Sequence, residues 1–275
     1  MENSGFLSEG IKKYKKALRD KNESIFLLCE ELNQYAHLTM WKLKVSNEYL
    51  PEILSACSYV RAMSMFQSII ILSGYGLTNE AKILLRSLVE TMFLMVSIEK
   101  NREYSSKIIE QEILEREKTC KAIRRNIIAG IHKLARPTLT EIEEKIQEIK
   151  DEIAKNKIKM ITKRDLAKSA DLESYYDTIY HLLSSTVHIN PGDLEQYLEL
   201  TEERKVKEIK WGPIEEEIDN ILFASIETMV LVMESISNMF EIELDGEWES
   251  IHKAYKSFGE QATIQLTQPG HSAAR

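Results

Sequence analysis

"ILLRSLVETMFLMVSI", residues 83–98, is the stretch that decides how the chain folds. It is apolar on nearly every side of a helical wheel, and a helix of that kind belongs in the middle of a bundle. Two charges interrupt it. Arg86 and Glu90 stand four residues apart on one face, with Ser87 and Thr91 beside them. Such charges cost several kcal/mol in a core unless they are paired and hydrogen-bonded. These two can pair with each other.

Composition agrees with a helical reading. Of 275 residues, 43% are hydrophobic and 29% charged, which supports a substantial core. Gly (10) and Pro (5) are scarce, so turns are few and elements long. The expected fold is all-α: a helical bundle with a charged antiparallel helical hairpin inserted at 102–160. Residues 1–260 read as one domain and 261–275 as a disordered tail, "QATIQLTQPGHSAAR" being without helical pattern and of non-native character.

Working outward, residues 6 to 44 read as one helix, with Ile25, Leu28, Leu32 and Tyr35 at three- and four-residue steps. Pro51 starts a second helix that runs to Gly74. Thr78 caps the central one. In the hairpin, Thr140 and Glu143 have capping-box spacing, and Ile142, Ile146, Ile149 and Ile153 form a short heptad seam. A helix is expected over 172–189 and a long one from Pro213 through Met239. A final short helix ends near Phe258, and a small β-hairpin within 196–211 is the one non-helical element allowed.

The net charge of -8, with no dominant basic block, argues against broad attachment to DNA or an anionic membrane. A local basic patch on the hairpin can still guide RNA, or the hairpin can hold a protein partner. Several apolar stripes predict self-association. Three distant cysteines, Cys29, Cys57 and Cys120, give neither a disulfide framework nor a zinc knuckle, so the expected home is the cytoplasm. No cofactor or metal is expected. The weak metal alternative uses Asp177, His181 and His188.

A second polar stripe lies in "YHLLSSTVH", residues 180–188, where Tyr180, Ser184 and His188 stack four apart on one helix face. If this helix packs on the central one, Arg86, Glu90, Tyr180, Ser184 and His188 form one buried polar cluster. Its position in the last helical turn favours the imidazolium form of His188. Two readings stand at this point. The cluster fixes how two helices meet, or it binds and reacts.

"LLRSLVET" (84–91) followed about ninety residues later by "YHLLSSTVH" resembles an uncharacterised bacterial all-helical family that carries an R-S-L-x-E-T helix and a Y-x-x-x-S-x-x-x-H helix. The likeness covers roughly residues 50 to 240, with the N-terminal helix and the hairpin less typical. More distantly the chain is similar to HEPN-type helical domains, many of them ribonucleases of toxin and phage-defence systems. Their Arg-x(4–6)-His motif is not matched here, since Ser184 stands four before His188 and Arg164 is far upstream. Arg86 would supply the guanidinium from another helix. The resemblance implies a metal-independent ribonuclease, with His188 as acid or base, Arg86 on the anionic transition state and Glu90 orienting it. Tyr180 and Ser184 would orient the histidine or a phosphate oxygen. The alternative is a non-catalytic interaction or anion-sensing protein in which the cluster is structural.

Overall fold

The computed structural model describes residues 5–131, 136–187 and 194–267. Its helices are α1 (Gly10–Lys21), α2 (Glu23–Met40), α3 (Leu50–Gly74), α4 (Thr78–Lys100), α5 (Glu103–Ile128), α6 (Leu139–Asn156) and α7 (Lys163–Ser169). A single turn, α8 (Glu173–Tyr175), runs through a π turn at Tyr176–Tyr180 into α9 (His181–Val187). Then come α10 (Ile218–Phe240) and α11 (Gly246–Thr267). The only sheet among the described residues is the antiparallel pair β1 (Leu198–Leu200) and β2 (Val206–Ile209), in register Leu198 with Ile209. The protein is all-α with one small hairpin, as the long apolar repeats and scarce turn residues require.

α4 is central. It packs against α3 and α10 most extensively, and also against α5, α7 and α9. Leu85, Leu88, Val89, Met92, Phe93 and Met95 are all buried on it. Among the described residues, α3 and α10 are the two helices long and apolar enough to cross a membrane, but 67% of the α10 window is buried inside the bundle, against 44% of the α3 window.

The hairpin has a core of its own. Ile142, Ile146 and Ile149 of α6 close on Cys120 of α5, with Ile153 at the edge, so the heptad seam is the contact surface. The base is tied down separately. Tyr104 and Ile108 pack on the main core, and Gln111 accepts from Ile161 N (2.9 Å) and donates to Lys159 O (3.0 Å). Replacing residues 112–157 with a short linker is therefore expected to leave a cooperatively melting bundle. Loss of a melting transition in calorimetry would show that the arm belongs to the main core.

Several local expectations change. The first long helix is two, because Asn22 turns its side chain back to Leu18 O (2.9 Å) and leaves helical geometry at φ -113°. The hairpin's capping box is Thr138 with Glu141, two residues before the expected pair. Thr78 is the first residue of α4 instead of its cap, and its hydroxyl is buried without a partner. The helix expected from Pro213 starts at Ile218, since Ile214 N donates to Gly76 O (2.9 Å) and holds this segment on the α3–α4 turn. Gly76 is required there: its φ is +71°, and a Cβ would lie 2.5 Å from Pro213 Cβ. α11 continues to Thr267, past Phe258 and into the expected tail, whose residues 268–275 lie outside the described part.

Candidate functional site

The site is built where α4 meets the π turn. A π turn widens the helix and brings Tyr176 and Tyr180 face to face, with ring centroids 4.9 Å apart. Phe93 of α4 contacts both rings and Tyr175 at 6.0–6.4 Å between centroids. This aromatic cluster fixes the height of Tyr180 over α4.

Tyr180 reaches both charges of the central stripe. Its hydroxyl accepts from Arg86 Nη2 (3.0 Å) and donates to Glu90 Oε1 (3.0 Å). Arg86 Nη2 lies 3.6 Å from the same oxygen, and its guanidinium sits over the Tyr180 ring at 5.1 Å. The triangle is closed. Burial pushes the Tyr180 phenol above its ordinary value, with Arg86 opposing and Glu90 reinforcing. Arg86 Nε is buried and has no hydrogen-bond partner among the described residues.

The sequence placed five residues together, and the structure unites three of them. Ser184 Oγ donates to the carbonyl of Tyr180 (2.8 Å), a bond within its own helix, so its proton is not shared with Arg86 or Glu90. His188 lies outside the described residues. The cluster is also less buried than expected. The side chains of Arg86 and Glu90 keep 20% and 25% of their exposure, because this face of α4 is only partly covered.

What the uncovered part opens onto is a cleft of about 460 Å³ between α3, α4, the base of α5 and α7. Glu90 forms its floor, and Oε2 of Glu90 pairs with Lys163 Nζ at 3.0 Å. Arg61 and Glu115 are its other charged walls.

Lys163 and its neighbour Arg164 are the functional candidates that sequence reasoning missed. α7 is riveted to α4: Ser97 Oγ donates to Leu166 O (2.8 Å), Ser169 Oγ to Ser97 Oγ (2.7 Å), and Lys100 Nζ to Ala170 O (2.8 Å). Its first turn therefore lands beside Glu90. Arg164 pairs with Asp177 Oδ1 (3.1 Å) and lies over the Tyr176 ring at 5.7 Å, which commits one of the three groups of the metal alternative. His181 is exposed. A signal for these cations was present. Two cations at a helix N-terminus oppose the helix dipole, and a local conflict of that kind often marks a functional position.

A capping box holds that turn. Thr162 Oγ1 accepts from Asp165 N (3.1 Å), and Asp165 Oδ2 accepts from Thr162 N (2.8 Å). The Thr162 hydrogen bonds hold the Asp165 carboxyl below its ordinary 3.8. The sign follows from a lowered folded value. The cap contributes fully above 3.8 and is lost as pH falls through the lower folded value. Thr162→Ala is expected to cost about 1 kcal/mol. Calorimetric melting at neutral pH checks this.

A helical bundle with a charged two-helix arm, and an Arg–Glu–Tyr triangle that presents its Glu90 to a cleft, is the class of protein defined by fold and site together. Within it, the chain belongs to a family of unknown function (DUF5677), whose model matches residues 52–206. No curated protein and no solved structure matches the chain. The matched span takes in α3 to α9 and the arm, which is thus inside the family pattern. It stops before α10, although α10 is packed on α4 and completes the core.

Proposed function

We propose that this is an anion-sensing helical protein, and that the cleft floored by Glu90 and Lys163 takes a small ligand bearing phosphate or carboxylate. One observation carries the reading. Arg61 and Lys163 line the cleft together with two carboxylates, Glu90 and Glu115, and each carboxylate already has a cation partner outside the lining, Arg86 for Glu90 and Lys118 for Glu115. With both carboxylates matched from outside the lining, Arg61 and Lys163 offer their positive charge to an incoming anion. In this reading the Arg86–Tyr180–Glu90 triangle positions Glu90, and Lys163 exchanges part of its pairing with Glu90 for the incoming anion. Titration with inorganic phosphate and with citrate, followed by melting temperature, tests it. At 100 times the dissociation constant, binding stabilises the fold by about 2.7 kcal/mol. Lys163→Ala is expected to remove the response while leaving the ligand-free melting temperature nearly unchanged, because Lys163 is 48% exposed. A chain whose melting is indifferent to both anions refutes the reading.

The metal-independent ribonuclease reading is favoured by a different observation. Arg86 Nε is a buried donor with no acceptor among the described residues, and Arg86 faces the helix that leads into His188. Incubating labelled RNA with the wild type, Arg86→Ala and His188→Ala separates the two. Cleavage that both variants abolish supports the nuclease. Intact RNA leaves anion sensing.

A further inference from the structure

A second hollow, of about 540 Å³, lies between α4, the π turn, α9 and α10. It shares no lining residue with the cleft of Glu90. A space of this size holds a small organic molecule. Its floor is apolar and fixed, because Leu85, Leu183 and Ile221 are buried members of the main core. Phe223 adds a wall. Its ring is stacked on Tyr255 (centroids 5.3 Å apart) and Phe258 (6.2 Å) of α11, so two neighbours hold it in place.

Charge says what the hollow accepts. Three charged side chains line it: Lys82, Glu217 and Glu227. Lys82 Nζ pairs with Glu217, which neutralises one end. Glu227 lies almost three helical turns further along, roughly 15 Å of helix rise. It forms no ion pair among the described residues. Its hydrogen-bond partner is Tyr255, whose hydroxyl donates to Oε1 (3.2 Å). Glu234 also acts on Tyr255 and adds charge of the same sign. Lys253 and Lys256 of α11 line a different hollow, with Glu249 and Glu260.

Glu227 is therefore a carboxylate without a cation at the side of an apolar space. Burial, and after it the charge of Glu227, hold the phenols of Tyr255 and Tyr175 above their ordinary value, so the field of this carboxylate reaches a poorly hydrated region. An apolar occupant alone would displace water from Glu227 and leave the charge unmatched, which is costly. An occupant that carries its own positive charge gains the apolar floor and avoids that cost. An organic amine has both parts.

We propose that this hollow binds a small organic cation, an amine on an apolar body, with Glu227 as its counter-ion. The site is independent of the anion cleft. Isothermal titration calorimetry on the full chain at neutral pH, with phenethylamine and with phenethyl alcohol, compares one body with and without the charge. The amine should bind about tenfold or more tightly than the alcohol. Glu227→Gln keeps an acceptor for Tyr255 and should remove that preference. Ala224→Leu fills the hollow from a half-buried position on α10 and should weaken both ligands. Circular dichroism and melting of each variant show that the fold is kept, and if either variant fails to fold, the other and the comparison with the alcohol decide. An amine that does not bind at millimolar concentration, that binds no better than the alcohol, or that keeps its preference in Glu227→Gln overturns the proposal. Amine binding untouched by Ala224→Leu overturns it as well, since the amine then sits elsewhere.

Discussion

Phe93→Ala is expected to destabilise the protein by about 3–5 kcal/mol, more than any other single change near the site except truncation of Tyr180. Phe93 is fully buried, and its ring touches three tyrosines on one segment: Tyr175, Tyr176 and Tyr180. Tyr175 carries the connection further, through a 2.8 Å hydrogen bond to Thr228 of α10. Removing the phenyl ring therefore empties the point at which α4, the π turn and α10 converge. At roughly 2–4 °C per kcal/mol for a domain of this order, the melting temperature should fall by about 6–20 °C. Phe93→Leu keeps most of the volume and should cost under about 1.5 kcal/mol. Calorimetry on the two variants decides the matter. A Phe93→Ala protein melting like the wild type would mean that the three rings do not lean on Phe93.

The bundle was legible because its cause is local and repeated. Apolar residues on all sides of 83–98 can be satisfied only by neighbours on all sides, and α4 has them. The arm was legible for the same reason, its isoleucine seam being a periodic signal that ends up against Cys120. Boundaries were less so. Asn22 and Ile214 end or delay helices through bonds to Leu18 and Gly76, and only the second of these involves a partner distant in sequence. The meeting of Arg86, Glu90 and Tyr180 followed from two stripes at four-residue spacing. That spacing was less informative for Ser184, because a short hydroxyl in a helix prefers the carbonyl four residues back. Lys163 was invisible as a site residue. Its place beside Glu90 depends on α7 being fastened along α4 by Ser97, Ser169 and Lys100, three contacts spread over seventy residues of sequence.

Tyr180 separates packing from polar bonding within a single residue. Its side chain is 6% exposed and contacts Phe93, Tyr176 and the Arg86 guanidinium. Tyr180→Ala is therefore expected to cost about 3–5 kcal/mol. Tyr180→Phe keeps the packing and loses only the hydroxyl, which bonds a charged group on each side. It should cost about 1.5–3 kcal/mol if those bonds were fully shielded, and nearer 1 kcal/mol here because Arg86 and Glu90 still meet water and each other. The same partial exposure lowers the expected cost of Arg86→Ala to about 1–2 kcal/mol, below the 3–5 kcal/mol of a fully buried broken pair, since Glu90 retains Tyr180 and Lys163. Alkaline melting supplies an independent readout of the hydroxyl. A phenol whose folded value is raised contributes stability that is complete below its unfolded 10.0 and is lost as pH rises through the folded value. Wild-type stability should accordingly fall at alkaline pH, and Tyr180→Phe should remove part of the fall above pH 10.0, with the remainder belonging to the other groups that burial raises, Tyr14, Tyr35, Tyr59, Tyr175, Tyr255 and Cys29. Identical alkaline slopes for the two proteins would place the Tyr180 hydroxyl in water and open the triangle on which both readings of the site rest.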